Sequence, residues 1–113
     1  MSNETLQAIE ANIREAKKIV DQGDALERLR SNRDFKKVIL DGYFAEEAIR
    51  LVHLKASPAM QSPDMQKSII AQMDAIGYLD QYFNTVLQKA SIARKAISAD
   101  EETRDEILAE GAE

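Results

Sequence analysis

Along the first twenty residues Leu6, Ile9, Ile13, Ala16 and Val20 recur at steps of three and four, the spacing that lines up one stripe of a helix. A helix is predicted from about residue 4 to 22. Gly23 then suits the position that ends helices, and Asp24 with Glu27 forms a reciprocal cap for a short helix over residues 25–31, with Leu26 and Leu29 inward. Asn32 caps a further start, after which Phe35, Val38 and Ile39 share a face up to Gly42. Beyond it Phe44, Ala45, Ala48, Ile49, Leu51 and Val52 continue at helical spacing to Ala56, and Gly42 is expected to break or kink the helix. The two prolines of SPAMQSP, residues 57–63, mark a loop, and Ser62 as cap with Pro63 at the first helical position starts a long helix.

On that helix Met65, Ile69, Ile76, Leu79, Phe83, Val86, Ala90, Ala93 and Ile97 keep a three-four alternation, with Gln72 the one polar member of the stripe. Burial of each large apolar side chain is favourable by about 1.5–3 kcal/mol, so such a stripe does not stay in water. The first helix covers one half of it and residues 33–56 the other, in an antiparallel three-helix arrangement. The expected fold is all-α: a small helical bundle of three main helices plus short ones around one long helix in the C-terminal half, with an acidic tail. Residues 1–97 form the domain, and 98–113 a tail that is a short helix, an extension of the rod, or disordered. As a short helix it starts at a Ser98/Glu101 cap and is anchored by Ile107 and Leu108. The outer turns of the long helix have least cover, so Phe83, Val86, Ala90, Ala93 and Ile97 are the candidate protein interface, for a second copy or another protein.

Composition sharpens this picture only in part. A chain of 113 residues, 44% hydrophobic and 31% charged, fits one soluble domain. The net charge of -5 belongs to the tail: residues 98–113 hold seven acids, Asp100, Glu101, Glu102, Asp105, Glu106, Glu110 and Glu113, against Arg104, which leaves the rest near +1. There is no cysteine, hence no disulfide and no thiolate metal site. MSNETLQAIEANIREAKK lacks an apolar run behind a basic start, and no segment reaches the ~18 apolar residues of a membrane span, so no export signal or membrane contact is expected.

Candidate chemistry is sparse. The single His53 has arginine at position 50 and isoleucine at 49, without the co-ligands that a helical metal site needs, so it reads as structural or surface. Glu46 and Glu47 point to different helix faces and read as solvated. The glycines at 23, 42, 77 and 111 are too scattered for a phosphate-binding loop. No enzymatic activity, cofactor, metal or small-molecule substrate is expected. Arg28, Arg30, Arg33, Lys36 and Lys37 make the strongest basic cluster and the candidate nucleic-acid contact, with Glu27 and Asp34 diluting it. Tyr78, Tyr82 and Phe83 read as packing residues rather than a base-stacking platform, and Gly77 as a place where another helix comes close.

The stretches NRDFKKVILDGYFAEEAIRLVHLKASPAMQ and DAIGYLDQYFNTV resemble a family of short helical proteins encoded by tailed bacteriophages, often near genes for virion assembly. The resemblance covers residues 24–97 and leaves the first helix and acidic tail as variable ends. It implies a setting, host cytoplasm or virion, and no site residues. Three functions follow as expectations: a non-enzymatic structural or assembly protein acting through helix-helix contacts; a DNA-binding accessory, such as a small packaging-type subunit, using the basic cluster; or a small binder of a host protein, its acidic tail mimicking nucleic acid.

Overall fold

Asn32 makes the first corner. Its side-chain oxygen accepts from the backbone N–H groups of Asp34 (3.0 Å) and Phe35 (2.9 Å), two donors that a helix start leaves unpaired. In the computed structural model, which describes residues 2–111, the N-terminal helix Ser2–Arg30 leads into this corner. Met1, Ala112 and the last acid of the tail, Glu113, lie outside the described residues. A middle helix over residues 33–56, a 3-10 turn at Pro58–Met60 and the long helix Pro63–Gly111 follow. Among the described residues there is no strand, and none of the helices is long and apolar enough to cross a membrane.

The second corner also forms as its residues dictate. The Ser62 hydroxyl accepts from the Met65 N–H at 3.3 Å, with Pro63 opening the helix behind it. Two side-chain amides that the sequence does not flag hold this corner shut. Gln66 Nε2 donates to the carbonyls of Lys55 (2.9 Å) and Met60 (2.7 Å), and Gln61 Nε2 to those of Lys55 (3.0 Å) and Ser57 (2.6 Å). Lys55 lies in the last turn of the middle helix, whose end leaves carbonyls open, and Ser57 and Met60 lie in the turn that follows.

Three local expectations are corrected. Gly23 does not end a helix: the N-terminal helix runs through it for 29 residues, no glycine among the described residues has positive φ, and residues 25–31 form no separate helix. An interior glycine costs only about 1 kcal/mol against alanine, which packing offsets here. Leu26 is buried as expected, while Leu29 is 44% exposed. Gly42 does not break the middle helix either. Lys36–Glu47 is wound as a π-helix, with Ala48–Ala56 α-helical after it. A Cβ at position 42 would sit 3.2 Å from the Lys37 carbonyl oxygen, tight for any side chain. The wider turn moves the inward positions: Phe35, the adjacent pair Ile39 and Leu40, and Phe44 are half-buried, and Val38, expected on the buried face, is 63% exposed. Finally, no new helix starts at Ser98; the long helix absorbs the tail as far as Gly111, the rod-extension alternative. There Arg104 pairs with Asp105 (3.3 Å) and Glu101 (3.8 Å), and Ile107 is half-buried while Leu108 stays 53% exposed.

The chain divides into two compact units. In the unit Glu27–Asn84 the middle helix runs antiparallel to the first part of the long helix. Leu51, Ile69 and Ile76 are its buried core, with Tyr43, Phe44, Ala48, Leu54, Met60 and Met73 packed around them. Met73 takes the place on the stripe that spacing gave to Gln72, whose amide instead lies exposed and donates to the Ser68 carbonyl at 3.3 Å. Met65, the first member of the expected stripe, is 45% exposed.

The other unit joins the chain up to Leu26 to the chain from Thr85 onward. Its two helices are antiparallel and meet at small residues. A Cβ built on buried Gly23 would overlap that of Ala90, which is fully buried, and would lie 3.8 Å from the Val86 carbonyl oxygen. Asp24, read from sequence as a cap, instead pairs with Arg94 across this contact at 2.6 Å.

Candidate protein-interaction surfaces

The residues expected to form an external interface are largely occupied within the chain. Val86, Ala90 and Ala93 are buried, and Ile97 is half-buried. The N-terminal helix covers them because glycine at 23 lets it approach Ala90 closely. Phe83 is half-buried in its own unit, its ring centroid 6.0 Å from that of Phe35 and 5.7 Å, edge-on, from that of Phe44. The surface left uncovered near these residues is carried by Ile92, 68% exposed.

Two further features of the long helix lie on its surface. Tyr78 is 67% and Tyr82 54% exposed, with only the Tyr82 ring near Phe83, at 6.2 Å. Nothing in the chain lies within 4 Å of a Cβ built at Gly77, and the close helix approach within the chain is at Gly23.

The basic cluster is all on the surface of one unit. Arg28, Arg30, Arg33, Lys36 and Lys37 are each exposed, and none takes part in an ion pair among the described residues. Arg28 and Arg30 lie in the last turn of the N-terminal helix, where cations favour the exposed carbonyl end. That placement accounts for two of the five without a ligand.

His53 is exposed, and no three His, Asp or Glu side chains among the described residues gather closely enough to hold a metal ion. Glu47 is committed to Arg50, one turn on, whose Nη2 donates to Glu47 Oε2 at 3.0 Å and whose Nε donates to Oε1. That hydrogen bond, reinforced by the guanidinium charge, holds the Glu47 carboxyl below its ordinary range. Glu46 is exposed beside it.

A surface that spacing alone did not isolate lies on the middle helix. Ala45, Ile49, Val52 and Ala56 fall at intervals of four, three and four, and all four are exposed, Ile49 at 58% and Val52 at 55%. The core-facing set, buried Leu51 with half-buried Phe44 and Ala48, lies one position away throughout. The helix therefore carries two apolar stripes side by side, one facing the core and one facing solvent. Val52 and Ala56, with the Lys55 stem, form one bank of a shallow groove whose other bank is Met73 of the long helix. Ile70, one turn back on that helix, is 44% exposed.

Comparison with known protein families, with curated proteins and with solved structures found no match.

Proposed function

We propose that the protein is a non-enzymatic assembly protein that works by helix-helix contact, taking an amphipathic helix of another protein against the outer stripe of its middle helix. The observation that carries this reading is the run Ala45, Ile49, Val52, Ala56. Its spacing is that of helix-in-groove recognition, in which anchors at i, i+4, i+7 and i+11 meet a matching stripe. An exposed apolar row this regular, flanked by Arg50, His53 and Lys55, is the kind of surface that marks a binding site. The resemblance of residues 24–97 to phage proteins supplies the setting, assembly of a tailed-phage virion, with a virion protein as the partner.

Val52→Asp is the variant that tests it, because the side chain is 55% exposed and the change leaves the Leu51 core in place. Expressed in place of the natural chain, it should fold normally by circular dichroism and fail to co-sediment with assembly intermediates. The reading is overturned if the variant co-sediments as well as the natural chain. It is also overturned if binding resides in DNA, weakens steeply with salt, and is lost on charge reversal at Arg33, Lys36 and Lys37.

A further inference from the structure

The unit formed by the two ends of the chain is too thin to bury its own apolar surface. Its buried residues are Ile13, Leu26 and Val86 together with the small Gly23, Ala90 and Ala93, and two helices enclose one seam only, which leaves Ile19 and Ile92 exposed. On one side of that seam Ala16, Ile19, Ile92 and Ala93 line an apolar groove. Ala93 is its buried floor, and Ile92, at 68% exposure, stands out from its bank. Charge frames the groove asymmetrically: Glu15, in an exposed pair with Lys18 at 3.0 Å one turn on, lies on the N-terminal helix side and Lys89 on the long-helix side.

We infer that this face pairs with the same face of a second copy, giving an antiparallel four-helix bundle from two two-helix layers. A two-fold axis parallel to the helices sets the N-terminal helix of each copy opposite the long helix of the other. Ile92 of each chain then enters the groove of its mate, and Glu15 faces Lys89 twice. The occupant is a second copy because the groove is self-complementary in both shape and sign, as an isologous contact requires. Every helix in the product has antiparallel neighbours, the arrangement that four-helix bundles adopt with short connections.

This surface belongs to a different unit from the outer stripe of the middle helix, so the two proposals fail separately. The test is the mass of the purified full-length chain by sedimentation equilibrium, with helical content followed by circular dichroism. The natural chain should sediment at twice the chain mass, and Ile92→Asp should weaken the dimer by ~30-fold or more, the size of a hot-spot loss, while keeping its helicity. Glu15→Lys and Lys89→Glu should each weaken it by a smaller factor, and the double swap should recover most of the loss. A natural chain that stays monomeric at high concentration overturns the inference. So does a dimer indifferent to Ile92→Asp, or a double swap no better than its single variants. Val52→Asp should leave the dimer unchanged.

Discussion

Leu51→Ala should destabilise the protein by about 2–5 kcal/mol, the range for removing a buried leucine side chain into a cavity that neighbours fill only partly. Leu51 is fully buried and touches the core from the middle helix, against Ile69 and Ile76 of the long helix. Those neighbours sit on a well-held helix pair, closed at one end by the Gln61 and Gln66 amides and braced by the Phe35, Phe44 and Phe83 rings further along. Little collapse into the cavity is therefore available. Val52, the next residue, gives the internal control: at 55% exposure, Val52→Ala should change stability by less than about 0.5 kcal/mol. Urea unfolding of the two variants measures both. Similar losses for the two would mean that the inner and outer stripes have been assigned the wrong way round.

Gly23→Leu carries the second largest expected effect, a loss of about 1–3 kcal/mol or more from forcing side-chain volume into a closed seam. The overlap falls on the Ala90 Cβ, which belongs to a helix and cannot swing aside as the end of a long side chain does. Gly23→Ala separates this steric role from a helix-ending one. Alanine gains about 1 kcal/mol in a helix interior, so any net loss reports the clash. Pairing it with Ala90→Gly should restore much of that loss, with a coupling of about 0.5–3 kcal/mol in the double-mutant cycle. Additive effects would show that position 23 acts through its own backbone.

Much of the architecture is legible in the residue pattern because capping and proline are local signals. Asn32, Ser62 and Pro63 mark their corners by chemistry within a few residues, and the structure places both corners there. Glycine is where local reasoning fails. Gly23 and Gly42 both carry the mark of a helix end, and what decides them is not local: a second helix passing at Ala90 for one, and a π-wound turn that brings the Lys37 carbonyl close for the other. The same limit explains the interface residues. Spacing correctly puts Val86, Ala90 and Ala93 on one apolar face, but whether that face is covered depends on how near the N-terminal helix comes. The absent side chain of Gly23 sets that distance. The outer stripe was hidden for the opposite reason. With Phe44, Ala45, Ala48, Ile49, Leu51 and Val52 all apolar, two neighbouring stripes merge into one broad face, and only burial separates them.

The absence of cysteine allows the claim about that outer stripe to be tested at a single atom. A lone cysteine introduced as Val52→Cys would report directly on whether the stripe is covered when the protein is engaged. In the free protein the thiol should react with a soluble maleimide at the rate of an exposed cysteine. In isolated assembly intermediates that contain the protein, the same thiol should be strongly protected, while a cysteine placed as Gln72→Cys, also exposed but off the stripe, should stay reactive. Equal reactivity of the Val52→Cys thiol in the free and assembled protein would contradict the account.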